Sequence, residues 1–378
     1  MYSIEYDTFV VPAVDGDFVG DGRSTHGVYP SIINKPIPDY YSHMRGGASW
    51  RNQKLQESFI EKNDVELILQ GTWVYLGVYL QPFGHFLSES IHRLWYLKQN
   101  KDNIQGVIFI PSVHQPELDY SKLPSYVKDV LDFYIDGLDV VFISNLTKVE
   151  KLIIPKPGSQ LGGDREEWYS TLPRNNFLGE SKEVSSDIID KSKIIISRSK
   201  YYDRGRLLGV DYFWALLEDL GFVVISPENY SIGDQLSILK DADVVIWEEG
   251  SAMHLLELFK SIKGLHLLIS RRGNTHGKYS LGNFLKRVSS SSAIFDAIIE
   301  VESSGVQKHN QLSLIKNPKY LKEFLEKHLS VDIAQYNYTS FCLSEYQDLK
   351  KLALSKITTR DYLIDASFKL ASVRANNE

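Results

Sequence analysis

The chain of 378 residues has a single cysteine, Cys342. That excludes a disulfide framework and a cysteine-rich zinc site, and one thiol fits a reducing compartment. No run of about 20 apolar residues occurs, so no transmembrane helix is expected. The opening MYSIEYDTFVVPAVDGD lacks a basic start and a long apolar stretch, so no signal peptide is expected either. A cytoplasmic protein is the resulting expectation, with peripheral association at the inner membrane face compatible with it. The sequons at Asn145, Asn229 and Asn337 would carry meaning only in a secreted chain. Excess positive charge is missing too: 42 Lys and Arg face 48 Asp and Glu, a net −6. A nucleic-acid partner, which calls for a basic domain, is therefore not expected. No GxGxxG follows a strand, and neither GxxxxGK[ST] nor GxSxG occurs. Dinucleotide, P-loop and α/β-hydrolase readings lack their motifs.

What is present is ordinary globular composition, 43% hydrophobic and 24% charged, with length for about two domains. Residues 1–60 read as irregular. VELILQGTWVYLGVYL (65–80) reads as two β segments joined at Gly-Thr, and a helix follows. GVIFIP (106–111), DVVFIS (139–144) and KVEKLIIP (148–155) read as strands, with LPSYVKDVLDFYIDGL (123–138) as a helix. A polar, Gly-rich stretch over 156–185 reads as a linker. Beyond it, KIIISR, FVVIS, DVVIW and GLHLLIS alternate with helices at 210–220, 231–240 and from Ser251 to about Lys260. Short apolar strands alternating with helices indicate a parallel sheet covered on both faces. The expected fold is α/β: two Rossmann-like, doubly wound domains facing a cleft, with C-terminal helices packing back. The expected boundaries are 1–175 for the acceptor side and 186–305 for the donor side. The helical segment 306–378 is expected to return to the first domain.

Three clusters carry chemistry. The first is GHFLSESIHRLWYL, 84–97. On an ideal helix His85, Glu89, His92 and Tyr96 fall within roughly 60°. Phe86, Leu87, Ile91, Leu94, Trp95 and Leu97 spread over the opposite side. A glutamate one turn from a histidine orients the imidazole as a base. The pattern equally allows a solvated face with a Glu89–Arg93 pair. No HExxH spacing supports a metal, and none is expected. The second cluster is SRSKYYDRGRLLG, 197–209, where Arg198, Lys200, Arg204 and Arg206 follow a strand. Ligands bind at that edge of open α/β sheets, and arginine forks suit phosphate oxygens. The third is WEEGSAMH, 247–254, again following a strand. Gly250 permits close approach, while Glu249, Ser251 and His254 suit sugar or ribose hydroxyls. Asp241-Ala-Asp243 spells D-x-D but precedes its strand, so it reads as a turn at the opposite edge.

Together these blocks resemble glycosyltransferase family 61, the DUF563-type transferases, in its bacterial branch. The likeness rests on GHFLSESIHRLW (84–95) and on ISRSKYYDRGRLLGVDYFWALLEDLGFVVISPENYSIGDQLSILKDADVVIWEEGSAMHLLELF (195–259). The resemblance implies a GT-B-type fold, an inverting mechanism and a nucleotide-sugar donor held mainly by the C-terminal domain. It carries Arg198, Arg204 and Arg206 over as phosphate-binding candidates, and Gln235 as a family-like position. Many eukaryotic members have a histidine where this chain has Glu249, so donor identity does not carry over. The resulting expectation is a metal-independent, cofactor-free glycosyltransferase using a nucleotide-sugar, foremost a UDP-sugar. Its acceptor would be a glycan or glycolipid of bacterial capsule or lipopolysaccharide synthesis. His85 or Glu89 would be the base, with His85 ranked first, and His92 and Tyr96 would serve the acceptor or support. Alternatives are a transferase of CMP-activated 2-keto sugars, a non-catalytic glycan-binding protein on the same frame, and an epimerase of the UDP-GlcNAc 2-epimerase type.

Overall fold

The computed structural model describes residues 1–13, 23–24, 26–29, 39–41, 54–55, 65–112, 118–161, 165–171, 192–201, 204–273, 280–302, 306, 310–354 and 359–376. Much of 1–60 and of the linker expected over 156–185 lies outside them. The chain divides into two compact units, Met1–Gly179 and Glu180–Glu378.

The first unit is built on one six-stranded sheet. Its strands are β1 (Tyr2–Val11), β2 (Gly27–Tyr29), β3 (Leu67–Tyr79), β4 (Gly106–Pro111), β5 (Asp139–Phe142) and β6 (Thr147–Pro155), in the order β2-β1-β6-β3-β4-β5. The four strands β6-β3-β4-β5 are parallel. β1 runs antiparallel to both β6 and β2. The sheet is thus mixed, not purely doubly wound. The extra strand comes from residues 2–11, which read as irregular because Glu5 and Asp7 interrupt their apolar pattern. The predicted break at Gly71-Thr72 is not a turn. β3 runs through it, with Gly71 at φ +78° and a register shift between Leu69 and Thr72. A glycine at positive φ lets the strand bulge without ending. The core beneath includes Trp73, Tyr75, Ile108, Ile110, Val149, Leu152 and Ile154.

β4 and β5 lie to one side of β3, whereas β6 returns to the other side. The strand order therefore reverses between β3 and β6. The carboxyl ends of two strands at such a switch leave a crevice for ligand. β3 ends at Tyr79, and the GHFLSES segment follows directly.

In the second unit a five-stranded parallel sheet has the order β8-β7-β9-β10-β11. Its strands are β7 (Lys193–Ile196), β8 (Val223–Ile225), β9 (Val244–Glu248), β10 (Leu265–Ile269) and β11 (Ser292–Phe295). This is the 2-1-3-4-5 order, whose switch point lies between β7 and β9. Both the arginine segment and the EEGS turn leave the sheet there. A hairpin of β12 (Ile298–Glu300) and β13 (Ser313–Ile315) is separate from it. Helix Val210–Glu218 closes at Gly221, φ +85°, as its sequence predicts. Helix Ile232–Asp241 is capped by Ser231, whose Oγ accepts from the Asp234 N–H at 3.1 Å. The helix expected from Ser251 is a 3₁₀ helix, Ser251–Leu258. Asp243 sits at the start of β9, its N–H bonded to Ser192 O at 2.7 Å, which fits the reading of D-x-D as a turn.

The C-terminal helices Pro318–Leu329, Tyr338–Leu354 and Arg360–Ala375 fill the second unit's core. Leu321, Leu325 and Phe341 pack with Ile195, Phe213 and Ile246. Tyr362, Ala366 and Val373 pack with Leu312, Leu314, Leu349 and Leu352. The segment from 306 therefore packs within this unit, partly in the core under the sheet and partly in a second apolar cluster with the last helix.

Trp247 is fully buried and donates its Nε1–H to His266 Nδ1 at 3.1 Å. His266 Nε2 in turn bonds Lys263 O at 2.7 Å, which fixes a neutral ring. Burial lowers the pKa of His266 below its ordinary value. As pH falls below about 6.5 the unfolded chain gains a proton at this residue that the folded chain refuses. Stability is therefore lost on acidification, by up to about 1.4 kcal/mol per pH unit from this residue. Between pH 7 and 5, Tm of His266→Gln should fall less steeply than that of the parent. Equal slopes would rule the effect out.

Candidate active site

The first candidate group stands on the segment after β3. Helix begins at Phe83 after Pro82, continues α-helical to His85, becomes a π-helix over Phe86–Ser90, and resumes as α at Trp95–Gln99. Turn residues occupy 91–94 between them. π segments are rare and frequent at functional sites. This one breaks the 100° periodicity on which the four-residue stripe rested. Ser90 ties it to the sheet: its Oγ donates to Val78 O and accepts from the Leu80 N–H, both at 3.0 Å.

His85 and Glu89 meet, with Nδ1 to Oε1 at 2.5 Å. The Glu89 side chain is fully buried, whereas that of His85 is 43% exposed. A buried carboxylate accepts from Nδ1–H and leaves Nε2 as the basic atom of the ring. That arrangement can take a proton from a hydroxyl.

His92 and Tyr96 do not share this face, so of their two expected roles, acceptor or support, the geometry is that of support. His92 is fully buried; its Nε2 bonds Ser88 O at 2.9 Å and its Nδ1 meets Tyr169 OH at 3.2 Å. Tyr96 packs edge-on against Tyr2, ring centres 4.9 Å apart. Both brace the helix. Arg93 is buried as well, 5.1 Å over the Tyr75 ring, and donates to Pro155 O and Tyr40 O. Burial brings its pKa down to about 10. Gly77, φ +94°, makes room for it, since a Cβ there would lie 3.2 Å from Arg93 Nε. The helix is thereby fixed to the ends of both strands at the switch.

The second group stands at the carboxyl edge of the other sheet. Arg198 follows β7; its N–H donates to Glu248 Oε2 at 2.8 Å and its Nη2 to Arg204 O at 2.9 Å. Its guanidinium lies 5.4 Å over the Tyr201 ring. Gly250 is extended, at φ −174°. A Cβ on it would lie 2.6 Å from Arg198 Nη1, so the glycine is needed for close approach. Glu248 is 1% exposed, and burial raises its pKa above its ordinary value.

The other predicted members divide. Arg206 is fully buried and bonded to Asp211 and to Asp348, the latter at 3.1 Å. Burial works against its charge, but Asp348 and Asp211 outweigh burial and raise its pKa. It is a structural cation, which corrects its expected place at a phosphate. Lys200 bonds Asn229 Oδ1 at 3.1 Å, and Arg204 is exposed. Glu249 is not open to a sugar as expected. Its Oε2 accepts from the N–H groups of Arg271 and Arg272 at 2.8 and 2.9 Å and from Ser270 Oγ at 3.1 Å. Ser251 is exposed at the head of the 3₁₀ helix. His254 packs against Phe284, ring centres 6.4 Å apart. Gln235 has a local role: its Nε2 donates to Pro227 O and Tyr230 O at 2.9 and 3.0 Å, closing the turn before its own helix.

Sequence reasoning missed Arg271 and Arg272. They follow β10 in the run SRRG, as Arg198 follows β7, and that repeat of a strand-then-arginine pattern was the available signal. Arg271 is 2% exposed, and its pKa falls to about 10, chiefly through burial and then through Arg198 and Arg272. Among the described residues no group of three or more His, Cys, Asp and Glu converges as a metal site. No helix among them is long and apolar enough to cross a membrane.

Comparison with curated proteins finds no match. The family model described as Glycosyltransferase 61 matches residues 83–259, from the first residue of the His85–Glu89 helix to the residue after the 3₁₀ helix at Ser251, so the chain is similar to that family over just under half its length.

Proposed function

We propose that the protein is a glycosyltransferase that moves a sugar from a nucleotide-sugar to an acceptor hydroxyl. The observation that carries this is the His85–Glu89 pair at a switch point, inside the segment similar to glycosyltransferase 61. His85 Nε2 takes the acceptor's hydroxyl proton while Glu89 holds Nδ1–H and steadies the imidazolium. The acceptor oxygen bonds to the anomeric carbon as the bond from that carbon to the phosphate oxygen breaks. The electron pair leaves with the phosphate, where guanidinium groups stabilise it. A single displacement of this kind inverts the anomeric centre. The base is a side chain and the counter-charge is arginine, so the scheme is metal-independent. A UDP-sugar is the first candidate donor, and a bacterial surface glycan such as capsule or lipopolysaccharide is the acceptor class. The site of action is then the cytoplasmic face of the inner membrane.

A panel of nucleotides and nucleotide-sugars tests this, read by thermal shift and by donor consumption with and without acceptor. A ligand at about 100 times its Kd stabilises by roughly 2.7 kcal/mol. UDP or GDP should raise Tm by several degrees. A shift with CMP alone would replace the donor class by CMP-activated 2-keto sugars. Donor consumption in which the sugar is rearranged without acceptor would favour an epimerase. No shift with any nucleotide would leave a glycan-binding protein and end the enzymatic reading.

A further inference from the structure

Beside the last helix of the second unit lies an open cavity of about 660 Å³. One wall is a single face of helix Arg360–Ala375. Asp365, Phe368, Lys369 and Ser372 stand on it at the i, i+3, i+4 and i+7 spacing that puts side chains on one side of a helix. The other wall is Glu300 and Glu302, where β12 ends. The floor between the walls is fixed. Ala366 and Val373, on the neighbouring face of the helix, pack with Val301 and Leu312. Tyr362 is buried with them, its OH donating to Val301 O at 3.4 Å and accepting from the Leu312 N–H. Glu300 Oε1 accepts the Gly273 N–H at 2.7 Å, which holds the second wall to the turn after β10.

Phe368 is 73% exposed although it lines this cavity. A single exposed apolar residue on a convex surface means little. In a concave wall, among polar groups, it is the usual make-up of a small-molecule site, and the volume lies in the range of about 300–1,000 Å³ that such sites occupy. The polar groups are of both kinds. Glu300, Glu302 and Asp365 only accept hydrogen bonds, Lys369 only donates, and Ser372 does both. A pyranose matches that mixture. Its hydroxyl rim donates to carboxylates and accepts from an ammonium or a hydroxyl, and its C–H face packs on an aromatic ring and leaves water. Charge narrows the choice further. Three carboxylates face one ammonium, so acidic sugars, phosphates and nucleotides are repelled. A purely cationic ligand would meet Lys369 on the same face as Phe368, which disfavours it in turn.

We propose that the cavity between the last helix and the end of β12 binds a neutral saccharide, with Phe368 as the ring under its C–H face and Glu302 and Asp365 as acceptors for its hydroxyls. The site lies beyond residue 259, outside the family-matched segment, and shares no residue with the groups assigned above to donor or proton transfer. It rests on the glycosyltransferase reading only for its purpose: there it holds a part of the glycan other than the reacting hydroxyl.

Ligand-observed NMR titration of the full chain with maltose, lactose and N,N′-diacetylchitobiose tests the proposal, with spermidine as the cationic probe. At least one disaccharide should bind with a millimolar Kd. Phe368→Ala should weaken it about fivefold or more, through loss of the apolar face. Glu302→Gln and Asp365→Asn, which keep the shape and lose the charge, should each weaken it about tenfold, the scale of one charge-assisted hydrogen bond. All three positions are exposed, so the variants should keep the parent's Tm. His85→Ala should bind the disaccharide as the parent does. The proposal is overturned if no disaccharide binds, and spermidine binding in that case makes the cavity a cation site. It is equally overturned if the three cavity variants bind like the parent, or if His85→Ala loses the binding and Phe368→Ala keeps it. Sugar transfer is measured separately. Phe368-dependent saccharide binding in a protein that transfers no sugar would uphold the site and remove the glycosyltransferase reading.

Discussion

His85→Ala should lower the rate of sugar transfer by about 10²–10⁴-fold, the usual contribution of a positioned general base. The loss should fall on kcat, because the imidazole acts on the proton as it leaves and not on the bound ground state. Glu89→Gln tests the second half of the pair. A carboxylate can only accept from Nδ1–H, whereas an amide can also donate and so favour the other tautomer. In that tautomer the proton sits on Nε2 and the basic atom points back at residue 89. Glu89→Gln should therefore lose much of the rate even though its shape is nearly unchanged. Steady-state kinetics on the donor found in the nucleotide panel decides the matter. If both variants turn over within about twofold of the parent, the pair is not the base.

The second large effect is on stability. Asp348→Ala should destabilise the second unit by about 3 kcal/mol, the lower end for removing one partner of a buried ion pair. The lower end applies because Arg206 keeps Asp211. The Arg206 side chain is fully buried, so its charge loses one of its two carboxylate partners in a dry setting. Asp348 also accepts the Gly209 N–H at 2.9 Å, so that donor loses its partner too. Gly209 cannot move away freely, because a Cβ there would meet Glu345 Cγ at 2.6 Å, which shows how closely helix Tyr338–Leu354 approaches. Asp348→Asn should recover part of the loss by keeping an acceptor for Gly209. Urea unfolding followed through the fluorescence of Trp214 and Trp247, both in this unit, measures it. A change below about 0.5 kcal/mol would show that Arg206 finds its compensation elsewhere.

These two expectations show how differently the site residues could be read from sequence. Periodicity brought His85 and Glu89 together, and they do meet, although the contact runs from the last α-helical residue into the π segment. The same periodicity added His92 and Tyr96, and there it failed. The π segment and the turn at 91–94 rotate everything beyond Ser90, and no side-chain pattern announces a π-helix. The arginine segment shows the same limit. Arg198 and Arg206 are alike in sequence, but one flanks Gly250 at a sheet edge and the other is enclosed by Asp211 and Asp348. Asp348 lies 142 residues further along, a pairing that spacing cannot reveal.

The sequence by itself determined the parallel α/β character of the second unit, its helix caps at Ser231 and Gly221, and the strand ends at which chemistry gathers. Those features depend on local propensity and on hydrophobic runs of strand length, which short windows contain. The tertiary structure decided which charged residues stay exposed and which are enclosed by partners. It added β1 to the first sheet, put the C-terminal helices into the second core, and turned Glu249 from a hydroxyl acceptor into the cap of the Arg271–Arg272 turn. The physical reason is the same throughout: a charge's role is set by burial and by partners, and both are fixed by contacts between residues distant in the chain.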